Sequence, residues 1–193
     1  MGFSKAALVE GCREHGYGDT ARLLFPHGEF AIVQYHLYKE RTRLQTLQTQ
    51  VDAEEGPSQS RRVRRYCVER LRGNQALVGR LPEAFGLMAV PRNAPTAVEE
   101  LALLADEIVF LSGDDANSLD WYAKRAGLGA VYAAAEVFMT QDRSAGFANT
   151  LRFLDARLGD LTTAGSFVTG AVQWGAFAGH SALNVLRSQI ARG

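Results

Sequence analysis

Ala126-Gly127-Leu128-Gly129-Ala130-Val131-Tyr132-Ala133-Ala134-Ala135 is the stretch on which the fold class turns. It is small or apolar nearly all round and lies in an expected helix at about 117–141. A helix of this composition must be buried on most of its faces. Its small residues either let neighbouring helices approach closely or leave space beside larger ones. A tight helix–helix or dimer contact and the wall of an apolar cavity are both open, on different faces. Glu136 follows directly and, if buried, must find a partner or stay protonated.

Outward from this run the pattern stays helical. Apolar residues recur at i, i+3, i+4 and i+7 almost throughout, and no convincing strand interrupts them. The spacing predicts helices at about 4–15, 18–25, 27–50, 60–72, 74–89, 96–112, 117–141, 146–163 and 166–191. Pro26, Pro57, Pro82, Pro91 and Pro95 fall at plausible boundaries, and the polar residues 51–59 read as a loop. Asp19-Thr20, Thr96 and Asn117-Ser118 supply expected N-caps. The polar turn Met139–Ser144 makes the helices on either side antiparallel neighbours. The organisation read from this pattern is a helix-turn-helix-like segment with a connecting helix at 1–50, a helical core at 51–164, and an amphipathic helix at 165–193.

Composition narrows the function. Lys+Arg and Asp+Glu number 21 each, so the net charge is zero and the basic excess of a dedicated nucleic-acid binder is missing. Cys12 and Cys67 are two isolated cysteines, read as free thiols in a reducing compartment. No charged-then-apolar leader opens the chain, and no run of about 18 apolar residues is long enough to span a bilayer. Among the histidines, His15 shares a helix face with Cys12, which is too little for a zinc site. No Glu-x-x-His pair, nucleophile elbow or Walker loop is present, so no catalytic constellation is expected.

Residues 4–25 resemble a helix-turn-helix, and the helix that follows completes a layout resembling TetR-type regulators. A ligand-responsive transcriptional regulator is therefore the alternative function. Against it, the second helix offers Asp19, Thr20, Ala21 and Arg22, in which one acid cancels one base. The helix that should precede the motif is not in the chain. Gly16-Tyr17-Gly18-Asp19-Thr20-Ala21 superficially matches a dinucleotide loop but follows no strand.

Residues 166–191 form an amphipathic pattern. Phe167, Ala171, Trp174, Ala178, Ala182 and Val185 cluster on one side, extended by Val168, Val172, Leu183, Leu186 and Ile190. Thr169, Gln173, His180, Asn184 and Arg187 fall opposite. Docking on its own domain and membrane or partner binding are equally open. Interior glycines, each costing about 1 kcal/mol against alanine, favour an external surface, and Trp174 and Phe177 suit a water–lipid interface. Arg61-Arg62-Val63-Arg64-Arg65 is either a solvated helix face or a site of attraction to anionic headgroups.

Three blocks carry a family resemblance: Glu107–Asp114, Ser118–Ala126 and Glu136–Asp142. With Ala7–Arg13, Leu24–Gly28, Leu81–Ala84 and Pro91–Pro95, they are similar in order and content to the ubiquinone-biosynthesis family of the ninth Coq protein. The resemblance covers about residues 3–163. It implies an all-α, TetR-regulator-like bundle with a degenerate helix-turn-helix, no DNA binding, and a homodimer. It implies a non-catalytic protein that holds lipid, including isoprenoid quinone intermediates, and needs no other cofactor. It further implies a place in the mitochondrial matrix, peripheral on the inner membrane, with the C-terminal helix on the bilayer through Phe167, Val168, Val172, Trp174, Phe177, Leu183, Leu186 and Ile190. The partner implied is the di-iron demethoxyubiquinone hydroxylase, met through a patch at Ile108, Ser118, Trp121, Tyr122 and Arg125. Ile108 and Ser118 replace the methionine and aspartate of animal members. Adjacent aromatics point about 100° apart on a helix, so at least one of Trp121 and Tyr122 is free to face outward. The alternative is that both pack into the core. The pocket wall is assigned to Phe110, Leu111, Tyr132 and Phe138.

Overall fold

Ser4 starts the first helix: its Oγ accepts a hydrogen bond from Ala7 N at 3.2 Å, satisfying one of the amides a helix N-terminus leaves without a partner. The computed structural model describes residues 2–113 and 119–163. Among these it contains eight α-helices and no strand, so the chain is all-α. The helices are α1 Lys5–Glu14, α2 Phe30–Thr46, α3 Gln48–Glu55, α4 Gln59–Arg72, α5 Leu81–Met88, α6 Ala94–Leu111, α7 Leu119–Met139 and α8 Ala148–Thr163.

Helix α7 is central, packing along α6 on one side and α8 on the other, while α2 packs on α4, α5 and α6. The main core joins Leu44, Val51, Tyr66, Leu71, Ile108 and Leu154 with the buried face of α7. Gly129 lies where α6 and α7 meet. A Cβ there would sit 3.6 Å from Leu101 Cγ and 3.8 Å from Ala105 Cβ, ordinary contact distances, so a methyl fits and only a bulkier side chain would displace its neighbours. The small-residue run thus makes a tight helix–helix contact on one face. Ala133 and Val137, on another face, line a cavity.

Several boundaries differ from the sequence expectation, each for a local reason. Residues 51–59, expected as a loop, are helical as far as Glu55: the chain breaks at Leu47 and α3 follows. Its lone apolar anchor, Val51, is buried, while Asp52 and Glu54 pair with Arg62 and Arg65 at 3.0 Å each. The acids that made the stretch look like a loop are its links to α4. The expected helix at 74–89 divides into a 3-10 turn, Gln75–Arg80, and α5. Pro82 lies in the first turn of α5, the one helical position where its missing N–H costs nothing. Pro95 has the same place in α6, so Thr96 lies inside that helix and Asn93 is its N-cap residue. Asn117 and Ser118 lie outside the described residues. The expected second helix of the helix-turn-helix is a six-residue 3-10 turn, Asp19–Leu24, on which Leu23 and Leu24 are exposed. It is shorter and more tightly wound than the α-helix a major groove accommodates.

The turn from α7 to α8 is held by one carboxylate. Gly146 and Phe147 both have positive φ, 62° and 58°, and for phenylalanine that costs about 1–2 kcal/mol. Asp142 offsets the cost. Its Oδ1 accepts from Ser144 N and Oγ at 2.8 and 2.6 Å, and its Oδ2 from Thr150 N and Oγ1 at 2.8 and 2.7 Å. Desolvation pushes the Asp142 pKa up, but these four bonds outweigh it and hold the carboxyl well below its ordinary 3.8. A depressed carboxyl stabilises the fold fully above its ordinary value, and that contribution is lost as the pH falls below it. Asp142→Asn is therefore expected to lower the melting temperature at pH 7, by about 1–2 kcal/mol of stability. The gap from wild type should narrow in melts taken at successively lower pH from about 4 downward.

Candidate functional site: an apolar cavity with a polar floor

Helix α4 places an arginine on its buried stripe, between Cys67 and Leu71. Arg70 is 1% exposed, and its Nη1 donates to Asn74 Oδ1 at 2.8 Å, one helical turn on. Asn74, wholly buried, passes the contact to α7 by donating from Nδ2 to Glu136 Oε1 at 2.6 Å. Tyr132, four residues before Glu136, donates its hydroxyl to the same oxygen at 3.2 Å. His36 Nε2 lies 2.9 Å from Asn74 Oδ1, a carbonyl oxygen that can only accept. The Arg70 guanidinium also lies over the Tyr132 ring, 5.7 Å from its centre. A cation on α4 and an acid on α7 are thus joined through a buried amide in the turn that follows α4.

Burial, reinforced by the Glu136 carboxylate and opposed by Arg70, raises the Tyr132 hydroxyl well above its ordinary value, so it remains a donor. Cys67, nearby in the core, is pushed up to about 12 by burial and is an unreactive thiol.

Above this floor opens a cavity of about 530 Å³. Arg70, Tyr132 and Glu136 form part of its lining. The rest is mostly apolar: Phe85 and Met88 from α5, Val98 and Leu101 from α6, and Val137 from α7. Much of the space is left by short side chains, among them Gly86, Ala97 and Ala133. Glu100, also in the lining, is tied to Arg41 at 3.4 Å. An apolar cleft with a few convergent polar groups is the usual form of a small-molecule site. No cluster of three or more metal-ligating side chains occurs among the described residues.

The sequence-assigned residues scatter. Of the four expected on the pocket wall, Tyr132 lines the cavity. Leu111 is buried in the core away from it, Phe110 is 63% exposed, and Phe138 is 39% exposed and stacks on Phe153 with ring centres 4.9 Å apart. Positions two apart on a helix point about 200° apart. Ile108 therefore faces the core while Phe110 faces out, and Ile108, 0% exposed, is not on the outer face of a partner patch. Arg125, assigned to that patch, pairs with Asp106 at 2.6 Å. Trp121 and Tyr122 are on the first turn of α7. Ser118 and the whole tail, Phe167 to Ile190, lie outside the described residues. Within the basic run, Arg62, Arg64 and Arg65 pair with Asp52, Asp155 and Glu54, so most of its charge is spent inside the fold. The sequence reading missed Arg70 and the α5 wall. The available signal was an arginine embedded in Tyr66-Cys67-Val68-Glu69-Arg70-Leu71.

Part of the cavity lining falls within the stretch that a family model matches. The COQ9 family model matches residues 94–165, which include α6, α7 and α8. A "Ubiquinone biosynthesis protein coq9, mitochondrial" of Schizosaccharomyces pombe is 32% identical over 189 residues, 98% of this chain and 75% of that protein. The chain belongs to the COQ9 family. Proteins named "Ubiquinone biosynthesis protein COQ9, mitochondrial" from Drosophila melanogaster and Homo sapiens are 31% and 29% identical over 82% and 85% of the chain. The chain spans only about half the length of these two relatives, 49% and 54%. In the COQ9-family fold seen here, α6 and α7 supply both the matched region and much of the cavity wall.

The floor also has a stability role. Removing one partner of a buried, hydrogen-bonded charge pair leaves the other uncompensated, at a cost of about 3–5 kcal/mol. Arg70→Ala is expected to lower stability by that order in denaturant unfolding followed by circular dichroism. A loss below about 1 kcal/mol would mean that Glu136 is satisfied without the arginine.

Proposed function

We propose that this COQ9-family chain is a non-catalytic lipid-binding accessory protein of ubiquinone biosynthesis. It takes isoprenoid quinone intermediates from the membrane and presents them to the di-iron demethoxyubiquinone hydroxylase. The observation that carries this reading is the cavity of about 530 Å³, apolar along its walls. Each methylene moved into such a space from water contributes about 0.8 kcal/mol, so an isoprenoid tail binds by burial alone. The relatives' names supply the pathway and the mitochondrial setting. The rest of the proposal is a homodimer in the matrix, peripheral on the inner membrane, with no nucleic-acid partner. It uses no cofactor beyond its lipid guest. The hydroxylase is met around Trp121 and Tyr122, beside the Arg125–Asp106 pair. Zero net charge accords with a protein that does not depend on polyanion binding.

Native mass spectrometry of the purified protein should find co-purifying isoprenoid or acyl lipid, and lipid-free wild-type protein would count heavily against the proposal. Ala133→Trp, which fills the cavity from α7, should reduce the lipid-bound fraction severalfold while the protein still melts cooperatively. The tail is tested separately. Deleting residues 165–193 is expected to abolish flotation with liposomes, and unchanged flotation would refute membrane attachment through that segment.

A further inference from the structure

Helix α5 carries Pro82, Phe85, Gly86 and Met88 into the cavity lining. It is only eight residues long, and a helix of that length persists through its packing and not through its own hydrogen bonds. Its two ends are fastened differently. Beyond the C-terminal end, Asn93 is 1% exposed and donates from Nδ2 to Leu87 O at 2.9 Å, which fixes the turn into α6. At the N-terminal end the chain arrives through the 3-10 turn Gln75–Arg80, in which no residue is buried. Pro82 then brings no N–H of its own.

The segment before α1 fastens this second end. Phe3 is buried with Phe30 and Val33 of α2 and Ala84 of α5. Its N–H donates to Glu83 Oε2 at 3.3 Å. Gly2 lies so close to the same carboxylate that a Cβ on it would displace Glu83. The opposite side of α5 looks onto the cavity, and a void returns no dispersion contacts. Loss of the Phe3 contacts therefore loosens the N-terminal end of α5 while Asn93 still holds the other.

Resting on the lipid-binding reading above, we propose that α5 is a hinged wall of the cavity and that residues 2–3 are the strap that holds it shut. A guest enters or leaves when Phe3 lifts from Ala84 and the N-terminal end of α5 swings outward about the turn at Asn93. Phe3 acts as the wedge, and Glu83 is its catch on α5.

Three variants of the full chain separate the strap from general stability. Phe3→Ala removes the wedge. Glu83→Ala removes the acceptor of the Phe3 N–H, and Arg80→Ala removes only the 2.7 Å ion pair on the same carboxylate. In hydrogen exchange read by mass spectrometry, Phe3→Ala should speed the α5 amides about tenfold or more while α7 amides keep the wild-type rate. Stopped-flow uptake of Nile red should be about threefold or more faster in Phe3→Ala and Glu83→Ala, and unchanged in Arg80→Ala. Equal acceleration of exchange in α5 and α7 would overturn the proposal, since Phe3 would then be core packing alone. Dye uptake that is unchanged in both strap variants, or equally fast in Arg80→Ala, would do the same. If Nile red does not bind the wild-type protein, the lipid-binding reading falls and exchange in α5 decides the strap by itself. Should Phe3→Ala fail to fold, Glu83→Ala carries both measurements.

Discussion

The chain Arg70–Asn74–Glu136–Tyr132 is the constraint around which the fold is arranged. Two charged side chains inside a helical bundle each carry a desolvation cost of several kcal/mol, recovered only if hydrogen-bond geometry is good on every side. The asparagine supplies part of that geometry, though Arg70 Nε is left without a partner among the described residues. The Asn74 carbonyl takes the arginine and its amide reaches the glutamate, so the two charges are balanced without direct contact. Helix α4 and helix α7 are thereby held at one relative position, because a shift of about one residue's rise would break the 2.6 Å bond between Asn74 and Glu136. Buried polar networks specify arrangement more sharply than apolar packing, which tolerates sliding.

Around this point the helices are fitted by size. At Gly129, α7 meets α6, with Leu101 and Ala105 as the nearest neighbours. Four residues on, Ala133 leaves space that nothing fills, and the cavity opens there. The same property, a short side chain, closes one face and opens the next. The difference lies in what stands opposite. At the far end of α7 the chain must reverse, and Asp142 holds the reversal despite left-handed backbone at Phe147. That anchor sets the direction of α8 and buries Leu154 against the core.

The helical class, the antiparallel reversal near Ser144 and the family were legible from periodicity, turn residues and ordered motifs. So was the need of Glu136 for a partner. Errors came where one residue type has two meanings. Asp52 and Glu54 looked like loop residues and are the salt-bridging face of a short helix. Phe110 and Phe138, assigned to the pocket wall, are exposed and outside the lining of this cavity. Large side chains fill space; a cavity is left by small ones, and its lining cannot be found by looking for bulk.

What the sequence determined by itself was local: where apolar positions repeat at helical spacing, where proline forbids continuation, and which residues are too small to fill their surroundings. These follow from backbone sterics and side-chain volume, properties of a residue and its near neighbours. Tertiary structure decided the rest. Asn74 and Glu136 are 62 positions apart, and no periodicity relates them. Whether a small residue marks a contact or a void depends on the helix that arrives opposite, and whether a buried arginine is balanced depends on a carboxylate carried on another helix. Both are outcomes of packing, in which burial and charge compensation are satisfied across the whole bundle at once.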